Sequence, residues 1–275
     1  MSCATLDVSR SGFYDWICRS ESNRDKENNE LLARVISIHA TSRETYGSPR
    51  VTAKLRSEGL VVNEKRIARL MHENGIASVL KPRFRVQTTD SDHGRPVAPR
   101  LFETEFTDAV MAPDQVYVGD ITYVPTEEGF LFLAVFMDIF TRKIVGHAMD
   151  ETMTTELILE ALAMSLGRQS VVRDQLIAHS DRGSQYASEK FSNYLDHLGI
   201  VASMSRKGNC WDNAHVESFF GSLKTELVYR MKFKTREEAK KEIFDWIETW
   251  YNSSRLHSAI EYMAPNDYEK LAKAA

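Results

Sequence analysis

The chain has 275 residues, of which 43% are hydrophobic and 27% charged. That is the make-up of an ordinary globular protein with room for one substantial domain and a smaller one. No segment approaches the roughly 20 apolar residues of a membrane span, and no basic-then-apolar leader opens the chain, so a cytoplasmic location without membrane association is expected. The three distant cysteines, Cys3, Cys18 and Cys210, argue against a disulfide scaffold or a structural zinc site. The formal net charge of −4 conceals a split: residues 1–100 carry 17 Lys+Arg against 12 Asp+Glu, and the remainder 18 against 27.

In chain order, residues 1–27 hold a short aromatic segment, SRSGFYDWICR, which reads as a helix end or the remnant of a preceding module. From Asn28 to Ala40 the apolar residues Leu31, Leu32, Val35, Ile36 and Ile38 recur at helical spacing. Pro49 suits a fresh helix start. Two short helices are then predicted, Arg50–Glu58 stopped by Gly59 and Asn63–Asn74 stopped by Gly75, the second with Asn63 as N-cap. Its apolar stripe is Ile67, Leu70 and Met71, and its other face presents Lys65, Arg66 and Arg69. This is the outline of a helix-turn-helix DNA reader over residues 28–85; an ordinary helical hairpin with a solvated basic face has the same outline. Residues 86–108 read as an interdomain linker.

Beyond it the period changes. Gln115–Pro125 is apolar on both faces, as a central strand should be, and Phe130–Ile139 and Ile144–Met149 follow after tight turns, hence antiparallel. A helix is predicted over Thr154–Leu166 with Gly167 at its end. Next come a strand at Gln175–His179, a helix at Ser188–Leu198 stopped by Gly199, and a strand at Ile200–Ser203. The order is similar to that of the ribonuclease H-like fold: an α/β core of a mixed five-stranded sheet flanked by helices, over residues 109–230. Ser205–Leu227 opens with Arg206 and Lys207 in a loop, then forms a helix with Glu217 in its first turn and Lys224 two turns on. Residues 231–275 form a C-terminal helical extension, with one helix expected over Thr235–Tyr251, then a polar segment and a tail.

Three acids stand out. Asp120 lies mid-strand on one face with Val118 and Thr122, where no turn or cap duty is open to it and an ionised carboxylate is costly. Asp181 falls just past a strand end, where open α/β sheets place ligand-binding residues. Glu217 follows after 35 intervening residues. Two strand regions and a helix delivering three carboxylates to one point is what a two-metal phosphoryl-transfer site requires. Each acid alone has a plain structural reading; together, in this order, they do not. Asp138, Asp150 and Asp212 are accounted for by turns and caps, and His179 as a structural residue.

The motifs VGDITYV, HSDRGSQY and GNCWDNAHVESFFGSLKTEL resemble those of DDE transposases and retroviral-type integrases, and most closely the OrfB-type transposases of the insertion-sequence-three family. The resemblance extends over nearly the whole chain, including the ending WYNSSRLHSAI. Gly119 before the first Asp and His215 in the third motif depart from the usual pattern without removing a ligand. The resemblance implies strand cleavage and strand transfer by a 3′-OH at insertion-sequence ends. Asp120, Asp181 and Glu217 are then the catalytic residues and the ligands of two Mg²⁺ ions, for which Mn²⁺ can substitute. It implies phosphate contacts by Lys207, Lys224 and Arg206, and strand placement by Gln185 and Tyr186. The implied partners are double-stranded DNA (terminal repeats and target), further copies of the chain on that DNA, and the upstream-frame helix-turn-helix/coiled-coil protein of the same element. Two other readings remain: a ribonuclease H-like nuclease that cuts without joining, and a catalytically silent DNA-binding relic.

Overall fold

In the computed structural model, residues 3, 7–79, 98–99, 110–169, 175–205 and 214–274 are described. The chain forms two compact units, Met1–Ser78 and Val79–Ala275.

The first unit is helical: α1 (Arg10–Cys18), α2 (Asn23–Thr41), α3 (Ser48–Ser57) and α4 (Glu64–Glu73). α2 begins five residues before the expected point because the Ser22 hydroxyl caps the amide of Asp25. Pro49 lies in the first turn of α3, and Asn63 Oδ1 caps α4 through the Lys65 amide at 2.8 Å. Leu31, Val35, Ile38, Val51, Leu55, Ile67, Leu70 and Met71 make the core of this unit. α1 buries no residue.

The second unit is built on a five-stranded sheet: β1 (Val116–Thr126), β2 (Gly129–Asp138), β3 (Ile144–Asp150), β4 (Ile177–Ser180) and β5 (Val201–Met204), ordered β3-β2-β1-β4-β5. β1–β2 and β2–β3 are antiparallel, whereas β1–β4 and β4–β5 are parallel. Together with its flanking helices this is the ribonuclease H-like arrangement that the sequence leads one to expect. α5 (Thr155–Arg168) packs on β3 and β2. The approach demands Gly146, since a Cβ there would lie 2.1 Å from the Ala161 carbonyl oxygen. α6 is Glu189–Leu198, capped at its end by Gly199 in the left-handed conformation, and α7 is Ala214–Glu226.

Three expectations need correction. α5 runs through Gly167 to Arg168, because a glycine weakens a packed helix without ending it. The predicted Thr235–Tyr251 helix is regular only as α8 (Arg236–Asp245) and continues as a π turn over Trp246–Tyr251, burying Trp246, Ile247, Trp250 and Tyr251 together. The tail is not featureless: it forms α9 (Pro265–Ala274), with Glu269 bound by Lys143 at 2.6 Å and Lys273 reaching Asp114 at 2.9 Å. Among the described residues no helix is long and apolar enough to cross a membrane.

Candidate active site

The site grows from a mismatch in strand length. β4 pairs with β1 only from Val116↔Ile177 to Gly119↔Ser180. One residue further along this register stand Asp120 and Asp181, at the point where β4 ends. Beyond it β1 continues to Thr126, paired with β2. A cleft of about 200 Å³ opens there, lined by Asp120, Ile121, Thr122, Tyr123, Phe132, Met153, Asp181, Gly183, Ser184, Gln185 and Tyr186.

Asp120 Oδ1 accepts the Ile121 amide at 2.7 Å. Burial pushes the Asp120 carboxyl well above the usual carboxylate range, and the charge of Asp181 pushes it further. The Ile121 amide opposes the shift, Glu217 adds to it, and Lys224 opposes it. Asp181 Oδ1 accepts the Gly183 amide at 2.9 Å, which closes the loop after β4. Arg182 Nε holds that loop to the Ser205 carbonyl at 2.7 Å. Gln185 donates its amide to the Met153 carbonyl at 3.3 Å, so it closes one side of the cleft. Tyr186 packs its ring edge-on against Phe191, 5.6 Å between centroids. Its hydroxyl is buried and has no hydrogen-bond partner among the described residues. His179 Nδ1 lies 3.0 Å from Ser203 Oγ, within β4 and β5, away from the lining of the cleft.

α7 packs on β1. Val216, Phe219, Phe220 and Leu223 bury its inner face, while Glu217 is exposed in the first turn. Lys224 is half-buried, its ammonium 5.3 Å from the centre of the Tyr123 ring. Burial lowers its pKa, and the charge of Asp120 acts against that shift. Asp120 therefore senses Asp181, Glu217 and Lys224 together. Among the described residues no three His, Cys, Asp or Glu side chains are drawn close enough to hold a metal ion on their own; Asp181 is the acid that acts most strongly on Asp120 and Glu217 acts less.

The end of α7 is pinned from behind. Glu226 is buried against Arg255, with Arg255 Nη2 2.7 Å from Glu226 Oε1, and Trp250 Nε1 donates to Glu226 Oε2 at 3.2 Å. Arg255 also reaches Ser222 at 3.2 Å. Asn252 bonds both the amide and the carbonyl of Ile144, at 3.0 Å each, like one more residue paired to β3. The WYNSSRLH segment is thus the brace of α7.

Of the remaining sequence candidates, Arg206 and Lys207 lie outside the described residues. In the first unit Lys65 and Arg69 are exposed on α4, with Arg69 3.7 Å from Glu73. Arg66 is tied to α2 through Asn28 Oδ1 at 2.9 Å and Glu27 at 3.4 Å. Sequence reasoning missed Tyr123, the ring under Lys224, since an aromatic three residues past Asp120 in an apolar strand reads as core. It also missed the Glu226–Arg255 pair, 29 residues apart and without a local signal.

A sheet of order β3-β2-β1-β4-β5, with Asp120 and Asp181 one step beyond the β1–β4 pairing and α7 packed on β1, is the framework of an integrase core. Two family models described as "Integrase core domain" match residues 111–210 and 217–271, and one described as "HTH-like domain" matches 26–84. The chain is 43% identical over 263 residues to an uncharacterized 31 kDa protein of insertion element IS600 from Shigella sonnei, covering 96% of this chain and 95% of that one. It is 37% identical over 269 residues to transposase InsF of insertion sequence IS3A from Escherichia coli K12, covering 97% and 92%. Among solved structures, a chain of a simian T-cell lymphotropic virus intasome aligns with a TM-score of 0.49 at 15% identity, over 86% of this chain and 74% of that one. The chain belongs to the IS3 family of insertion-sequence transposases.

Proposed function

We propose that Asp120, Asp181 and Glu217 are the catalytic acids of this transposase and hold two Mg²⁺ ions, replaceable by Mn²⁺, during DNA strand cleavage and transfer. The observation that carries the reading is the state of Asp120: a carboxylate made costly by burial, set beside Asp181, and offset by one amide and one lysine. The donor set fits the metal. All three groups are hard oxygen ligands on separate elements, their negative charge exceeds what Lys224 supplies, and the cleft leaves room for a phosphate. When bound, such a pair of ions supplies Lewis-acid activation of the attacking oxygen and stabilises the leaving one in an in-line displacement.

The chain's own residues do the rest. Asp120 and Asp181 are held in place by the Ile121 and Gly183 amides, so the ligand oxygens need little reorganisation. Lys224, steadied over Tyr123, offers its ammonium to a DNA phosphate at the cleft. Gln185 flanks the path of the strand, and Arg206 and Lys207 precede α7 on the same stretch of chain. Lys65 and Arg69 of the helix-turn-helix unit contact the duplex at element ends, with Arg66 positioning α4 through α2. The partners of this reading are terminal-repeat and target DNA, further copies of the chain, and the upstream-frame protein of the element.

Incubating the protein with a supercoiled element-bearing plasmid and Mg²⁺ tests the reading. Joined end-to-end products are expected from the natural chain, and none from Asp120→Asn or Glu217→Gln, with DNA retention nearly intact in both. Metal-dependent cleavage by either variant would overturn the ligand assignment, and nicks without joining would make the protein a nuclease.

A further inference from the structure

Tyr186 carries a polar group whose position the fold does not explain. Its ring is 3% exposed, locked by Phe191 and counted in the core that α5, α6 and the sheet share. A phenylalanine would fill that place equally well. The hydroxyl gains nothing there: it is shut off from solvent and lacks a hydrogen-bond partner among the described residues, which buried tyrosines rarely tolerate. Yet the same residue lines the cleft with Asp120 and Asp181. Gly183 sits between the ring and the acid: a Cβ on it would lie 3.0 Å from Asp181 Oδ1 and 3.7 Å from the Tyr186 ring carbon Cδ2. A buried donor without an acceptor among the described residues, on a residue that lines the same cleft as two carboxylates, has its nearest chemical use there.

We infer that Tyr186 is a positioning residue, whose hydroxyl donates a hydrogen bond to the Asp120–Asp181 carboxylate pair when that pair closes on a divalent cation. Metal-ligating carboxylates are themselves usually held by outer donors, and loss of such a donor weakens metal affinity 10–100-fold. Here each carboxylate already has its Oδ1 held by a backbone amide, and Tyr186 supplies a third donor at the junction of the two strands. The cost of the unbonded hydroxyl falls on the metal-free protein and is relieved in the loaded one, so it tightens binding of the ion. This assigns Tyr186 to the ligand set rather than to the DNA strand. It rests on the reading of Asp120 and Asp181 as cation ligands.

The test is Tyr186→Phe in the full chain, which keeps the ring and removes the oxygen. Mn²⁺ binding is followed by titration calorimetry, and unfolding temperature with and without Mn²⁺. The metal-free variant is expected to unfold at the natural temperature or a few degrees above it, with Mn²⁺ bound 10–100-fold more weakly. Cleavage by the variant should recover at saturating Mn²⁺. Unchanged Mn²⁺ affinity overturns the inference, as does a lower unfolding temperature without metal, which would show the hydroxyl already bonded in the free fold. Asp120→Asn separates the two levels of argument. If it binds Mn²⁺ like the natural chain, the ligand reading itself has failed; if it loses Mn²⁺ while Tyr186→Phe does not, only the role of Tyr186 has.

Discussion

The two ends of α7 treat negative charge in opposite ways. Near its C-terminus Glu226 is buried, and Arg255 and Trp250 surround it with donors at 2.7–3.2 Å. Near its N-terminus Glu217 is exposed, and its charge and that of Asp181 raise the pKa of Asp120 while Lys224 opposes them. One carboxylate is compensated by the fold itself and needs nothing more. At Asp120 burial and the neighbouring acids outweigh the Ile121 amide and Lys224, so its carboxyl is raised well above the usual range. That difference in compensation sets Glu226 apart from Asp120, and residue type alone does not reveal it.

Breaking each end should therefore give opposite results. Arg255→Met strands Glu226 as an unpaired buried charge, and a loss of about 3–5 kcal/mol is expected in urea unfolding. Asp120→Asn removes a desolvated charge held beside another, so stability should stay level or rise while cleavage is lost. A variant at Asp120 as destabilised as the one at Arg255 would collapse the distinction and make Asp120 a structural residue.

Asp138 is an intermediate case. It is completely buried at the end of β2 but surrounded by donors: the Phe140 amide at 3.0 Å, the Thr141 hydroxyl at 2.9 Å and the Asp114 amide at 3.4 Å. Burial still outweighs them and lifts its pKa to about 6. Because this lies above the unfolded value near 4, the folded protein takes up the proton first as pH falls. The contribution of Asp138 to stability is greatest below about pH 4, declines by roughly 3 kcal/mol between about 4 and 6, and is flat above. Asp138→Asn should remove that slope from a pH series of urea midpoints. A slope unchanged in the variant would place the titration elsewhere.

The elements of the core were legible because their signals are local. Alternation marked β1, tight turns made β1–β3 antiparallel, Asn63 and Gly199 announced a helix start and a helix end, and Asp181 stood where β4 stops. The acids were legible as types in an order. What the sequence hid depends on distant partners: Arg255 with Glu226, Asn252 with the backbone of Ile144, and Lys143 with Glu269 across 126 positions. α9 carries an amphipathic pattern that the reading of the tail passed over, and in the fold it is tied down through distant partners: Glu269 by Lys143 and Lys273 by Asp114. The unbonded hydroxyl of Tyr186 has no sequence signal, because Tyr in a motif looks the same bonded or not.

Lys224 gives the finest test of the charge imbalance, since it is the cation on which the acids and the DNA both have a claim. Its side chain is half-buried, its ammonium stands 5.3 Å from the centre of the Tyr123 ring, and the charge of Asp120 acts on it. Cations bound to the acids would neutralise Asp120 and leave Lys224 free to meet a phosphate. Each phosphate neutralised by a lysine adds about 0.9 to the slope of log affinity against log salt on duplex DNA. Lys224→Ala should therefore flatten that slope by about 0.9 in fluorescence anisotropy titrations with Mg²⁺ present, and by less without it. Lys224→Arg, which keeps the charge, should restore most of the slope. A slope that is equal in the natural chain and in Lys224→Ala under both conditions would mean that the lysine serves Asp120 alone, as a counter-charge within the fold, and that the phosphate is gripped by other residues.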